Sequence, residues 1–314
     1  MNQELTTNIK CNNYTNGLTN QPGDQPIRIF YEMIEHEFEI IKKSINNLKC
    51  PVENVKLEYL TENTKVIGPS TNGKKITIHE TYLSFLWGYI YSINTIAPIG
   101  DKIISIEENL DARKLIKYIH GLMFEYNNWD INILPNPVLF SKDDNNLIDR
   151  ANYLFLLSIR FILLHEFAHI FLGHLNISSE KRTEKILKQM ENDADITAIN
   201  WSFQTYEEDE KFMGKLSILL ALNSLSYSKY KFNDTKNHPA PEERITMFLE
   251  YLNIEDLDYL WGVAIYSIME WQTYHELFYL PFDYKSGDSF KLHYYKMIGE
   301  LKNYKETGIN NFKG

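Results

Sequence analysis

Two cysteines, Cys11 and Cys50, are all that 314 residues contain, which excludes a disulfide scaffold and makes a reducing compartment the simpler expectation. Basic charge is also in deficit. Lys and Arg number 32 against 42 Asp and Glu, a net charge of -10, and a surface of that sign cannot displace the counterions of a phosphate backbone, so general nucleic-acid binding is not expected. With 14 Gly and 10 Pro the chain is neither collagenous nor low-complexity. The most apolar stretch, Tyr153 to Leu164, is interrupted by Arg160 and runs into His165 and Glu166. It falls short of the ~20 apolar residues of a membrane span and reads as a buried helix. The amino-terminal residues lack the apolar core and small-residue cleavage site of a signal peptide, so the expectation is a cytoplasmic chain without a membrane partner.

What the chain has instead is aromatic bulk, 21 Tyr, 17 Phe and 5 Trp, enough for a large core. Residues 1–24 are polar, without apolar period, and read as a flexible arm. From Ile27 to Leu48, Ile27, Phe30, Ile34, Phe38, Ile41 and Ile45 recur at three- and four-residue steps, the period of an amphipathic helix. Alternating runs at Val55–Leu60 and Lys74–His79, separated by Gly68, Pro69 and an Asn72-Gly73 turn, predict a small sheet with a hairpin-like connection. The length of the apolar stretch Tyr82–Ile96 favours helix over strand, and Tyr126–Ser141 reads as irregular chain. Helical patterns then follow at Tyr153–Leu172, Ser179–Phe203, Phe212–Ser226, Pro239–Leu252 and Asp258–Phe278. The expected architecture is mainly helical α+β, with a 25–148 part that carries the sheet and a 149–314 helical part, the two forming one unit. His79-Glu80 has no second His four residues on and reads as a solvent-facing strand pair.

One motif stands out: His165-Glu166-Phe167-Ala168-His169, an HExxH within an apolar helix. Residues four apart on a helix share a face, so His165 and His169 can present two imidazoles to one metal ion, with Glu166 about 100° round and able to reach a bound water. Burying such polar groups in an apolar helix is costly unless a metal compensates them. A catalytic zinc needs a third protein ligand. Gly173 and His174 are adjacent, which breaks the spacing of the long metzincin motif and leaves His174 outside the coordination sphere. Leu187, Met190, Ala194, Ala198 and Trp201 mark an inward stripe on the next helix, and Glu191 lies within its arc. Should the helix phase differ by a residue or two, Asp195 is the substitute ligand. With Glu191 bound, Asp195 is placed to accept the ring N–H of a ligand histidine, while Asp193 points away.

Glu166 would then take a proton from zinc-activated water and deliver it to the leaving amine. In His238-Pro239-Ala240-Pro241-Glu242-Glu243-Arg244-Ile245, prolines and glutamates suit a helix start. His238 is either an oxyanion donor or an ordinary loop histidine, and Arg244 either anchors an acidic side chain or binds substrate.

HEFAHIFLGH, then ENDAD at 191–195, then NHPAPEERI at 237–245 resemble in order and spacing the gluzincin peptidases related to the CaaX prenyl-protease type. The likeness spans roughly residues 150–250 and implies a zincin-like fold of the minigluzincin type, Glu191 as third zinc ligand, Asp195 behind a ligand histidine and His238 as transition-state donor. The Ile76–Glu80 strand, the aromatic Leu86–Tyr89 stretch and a mid-chain HExxH are similar to the Lit-type phage-exclusion peptidases. That similarity implies a latent protease with a protein substrate, a host translation factor, and an activating phage or regulatory protein as partner. A non-catalytic zinc-fold binding module is the competing expectation; Glu166, which a structural zinc site does not need, favours the enzyme.

Overall fold

The computed structural model describes residues 26–48, 50, 52–61, 68–96, 112–123, 129–138, 145–225, 238–275 and 288–307. The arm at 1–24, Cys11, Asn237 and parts of the irregular stretch at 126–141 lie outside them. A 3-10 turn, Pro26–Phe30, leads into helix α1, Tyr31–Asn47, whose Ile34, Phe38, Ile41 and Ile45 are buried as their spacing requires. The expected helix from Ile27 thus begins with a tighter turn. Phe38 packs against Phe167, ring centroids 5.3 Å apart and planes tilted by 35°, which ties α1 to the motif-bearing helix.

Three strands follow: β1, Lys56–Leu60, β2, Ser70–Thr71, and β3, Lys75–His79. Their order is β1-β3-β2. The Asn72-Gly73 turn, with Gly73 at φ +83°, joins β2 to β3 in antiparallel register, whereas β1 pairs with β3 in parallel. This corrects the expected hairpin between the two longer runs. Parallel neighbours need a crossover, which a tight turn cannot supply, and two-residue β2 is too short to leave an alternation signal.

β3 passes without a break into α2, Glu80–Ile96, buried along nearly its whole length. The solvent-facing reading of His79-Glu80 is overturned by this junction. Both residues are buried, and Glu80 accepts from Arg28 Nε and Nη2 at 2.6 and 3.0 Å and from the Tyr31 hydroxyl. A carboxylate at a helix start also complements the dipole. Trp87 Nε1 donates to Asn152 Oδ1 at 2.7 Å, which fixes α2 on the central helix.

After α3, Ala112–Gly121, that central helix is α4, Asn145–Phe171. By length and composition it could cross a membrane, contrary to the expectation drawn from Arg160, His165 and Glu166, yet most of it is buried inside the protein. It packs on α1, α2, and on α5, Glu184–Phe203, and α6, Lys211–Ser224. Helices α7, Pro241–Tyr251, α8, Tyr259–His275, and α9, Phe290–Thr307, complete the described chain. Sequence periodicity assigned neither α3 nor α9. The fold is a mainly helical α+β structure with a three-stranded sheet beside α4.

Candidate metal centre

Helical spacing brings His165 and His169 together on α4, with Nε2 atoms 3.1 Å apart and rings nearly perpendicular at 78°. Thr183 caps α5 by accepting from the Ile186 amide, and two turns on, Glu191 reaches the same point. Its Oε2 lies 3.5 Å from His165 Nε2 and its Oε1 3.5 Å from His169 Nε2. One donor atom from each of the three residues falls within 4.8 Å of the others, and all three side chains are buried. Nitrogen ligands bonded to a tetrahedral zinc at 2.0–2.1 Å stand about 3.3 Å apart. Two imidazoles and a carboxylate at this spacing fit a divalent metal ion.

Around this cluster the fold supplies supports. Asp195, one turn beyond Glu191 and fully buried, places Oδ1 2.9 Å from His165 Nδ1. Arg244 grips Asp195 with both ends of its guanidinium, Nη2 to Oδ1 at 2.6 Å and Nε to Oδ2 at 2.7 Å. Of the two readings of Arg244, the structure has it anchoring an acidic side chain, although it also lines the groove. Its helix opens at Pro241, with the Ala240 amide donating to Glu243 Oε2 at 3.2 Å. His238, half exposed just before that helix, sets Nδ1 3.1 Å from Glu191 Oε2. Asp193 is partly buried and accepts from Gln189 Nε2 at 2.8 Å.

Burial and charge set the protonation of the metal-free cluster. Burial opposes a charge on His165, but contacts with Asp195 and Glu191 overcome it and raise the ring to about 10. His169 goes the other way, to about 3, through burial and the neighbouring His165 charge. Burial also works against ionised Glu191, yet His165, His238 and Arg244 hold it well below the usual carboxylate range. Glu166, beside them, is raised to about 7 by burial, with Glu191 and Asp195 adding to the effect and His165 and Arg244 opposing it. The positive charge on His165, held by carboxylates, therefore stands in for the charge of a metal ion, whose binding would release the proton on Nε2.

Glu166 shares a groove with the three potential ligands. Its walls are Ser70 and Thr71 of β2 and the apolar side chains of Ile162, Leu175, Met190 and Leu225. His174, which the motif spacing set aside, lies with Nδ1 3.0 Å from His169 Nδ1. A helix continued past Phe171 would turn it about 140° from His169; Gly173, at φ +71°, ends the helix and folds the chain back. That glycine was the available signal.

No curated protein and no solved structure matches the chain. The family profile of peptidase U49 matches residues 76–264, a span that runs from β3 through the HExxH helix, Glu191, Asp195, His238 and Arg244 and covers more than half of the sequence. The chain therefore belongs to the peptidase U49 family.

Proposed function

We propose that this peptidase is a zinc-dependent endopeptidase in which Glu166 is the general base and acid. The observation that carries the reading is the convergence of His165, His169 and Glu191 within 4.8 Å, with Glu166 in the same groove. When bound there, zinc would supply a Lewis acid and lower the pKa of a coordinated water. Glu166 accepts the proton of the attacking water as its oxygen bonds to the carbonyl carbon. The same carboxyl then gives that proton to the amine nitrogen as the C–N bond breaks. Glu166, buried and lining the same groove as the three potential ligands, is placed for both transfers. His238 supplies an N–H toward the developing oxyanion, and Arg244 keeps Asp195 ionised and aimed at His165.

The similarity to Lit-type phage-exclusion peptidases supports a finer reading. In it the protein is a latent cytoplasmic protease, switched on by a phage or regulatory protein, that cuts a host protein of the translation-factor class.

Wild type and Glu166→Gln, each loaded with zinc, are incubated with extracts of uninfected and phage-infected cells, and new peptide termini are read by mass spectrometry. The expected result is cleavage by wild type, strongest in infected extract, and a loss of about 10²–10⁴-fold in Glu166→Gln with one zinc per chain in both. Equal cleavage by the variant would refute the role of Glu166; equal cleavage in the two extracts would refute phage activation.

A further inference from the structure

We infer that His174 is a positioning residue that holds His169 in the tautomer and orientation needed to bind a metal ion. The inference rests on the metal-centre reading above. His169 turns Nε2 toward His165 and Glu191 and Nδ1 toward His174 Nδ1, 3.0 Å away, and both residues are buried. Two nitrogens at that distance share one hydrogen, so one ring donates and the other accepts. A neutral imidazole carries a single N–H. If His174 donated, the hydrogen of His169 would sit on Nε2, inside the cluster, where it blocks coordination. With His174 as acceptor through Nδ1, the His169 hydrogen is held on Nδ1 and Nε2 is free to bind.

The two histidines of the motif thus have separate anchors, Asp195 for His165 and His174 for His169. The anchors differ in charge. Asp195 is neutralised by Arg244, and a neutral His174 imidazole adds no negative charge, so the site keeps a net charge near +1 from a divalent metal and Glu191. A second carboxylate in the place of His174 would lower that charge and with it the pull on a carbonyl oxygen.

The test uses the full chain stripped of metal. Zinc affinity is measured by competition with a chromophoric chelator, the cobalt-loaded protein gives a visible spectrum, and the metal-free unfolding midpoint monitors the fold. His174→Phe keeps the bulk and removes the acceptor; zinc affinity should fall about 10–100-fold and the cobalt bands should change, with the metal-free midpoint near that of wild type. His174→Asn places an amide oxygen where Nδ1 was and should restore most of the affinity. His174→Gln, whose oxygen falls at the Nε2 position instead, should not. If His174→Phe fails to fold, the Asn and Gln variants carry the comparison. Wild-type affinity in His174→Phe, or equal affinity in the Asn and Gln variants, would overturn the inference and leave the metal centre intact. Absence of zinc binding by wild type would overturn both.

Discussion

Asp195 Oδ1 lies 2.9 Å from His165 Nδ1, and that contact decides which nitrogen of His165 faces Glu191. The same oxygen accepts from Arg244 Nη2 at 2.6 Å. An arginine on α7 thereby reaches a histidine on α4 through a carboxylate on α5, and three helices are held in one relation. Because the carboxylate is fully buried, its charge is tolerable only while the guanidinium is present.

Replacing Asp195 by Asn should therefore act on fold and site together. Arg244 would keep a buried charge without its counter-charge, costing about 3–5 kcal/mol, and zinc affinity should fall about 10–100-fold. Urea unfolding of the metal-free chain reads the first, chelator competition the second. An unchanged unfolding midpoint would show that the ion pair does not support the fold.

Gly173 has φ +71°, where an added Cβ meets Asn176 Nδ2 at 3.6 Å, an ordinary contact. The cost of Gly173→Ala is then conformational, about 1–2 kcal/mol for a left-handed residue with a side chain. The expected result is that loss in urea unfolding, accompanied by weaker zinc binding because His174 follows this residue. A variant as stable as wild type would mean that the turn relaxes without strain.

Glu270 on α8 is buried, with Ser92 Oγ donating to its Oε1 at 3.1 Å. Burial raises its carboxyl to about 8 from 4.5, with Ser92 opposing. Between those values the folded chain keeps a proton that the unfolded chain releases, so this group makes stability fall as pH rises from about 4.5 to about 8 and then level off. The slope is at most ~1.4 kcal/mol per pH unit. Glu270→Gln removes this contribution, so unfolding midpoints of the two proteins should diverge in favour of the variant as pH rises through that window. Parallel pH curves would place the Glu270 carboxyl near its ordinary range.

Much of the candidate metal centre was legible in the sequence because it is a local property. Residues four apart on a helix share a face, so HExxH is itself a geometric statement, and the apolar stripe of α5 placed Glu191 and Asp195 on its inner side. The same periodicity located α1 and α4 to α8, and the length of its apolar run located α2. It missed β2, too short for alternation, the parallel pairing of β1 with β3, and helices α3 and α9.

The sequence by itself determined the mainly helical α+β class, the two histidines and the carboxylates within reach of them, since helix period depends only on neighbours along the chain. Tertiary structure alone decided that Arg244 pairs with Asp195, that Glu80 is buried against Arg28 and Tyr31, and that His174 turns back onto His169. The first two join residues 49 and 52 positions apart. The third depends on one left-handed glycine that breaks the helical phase. Such contacts are set by how helices stack and where the chain reverses, and apolar period carries no record of either.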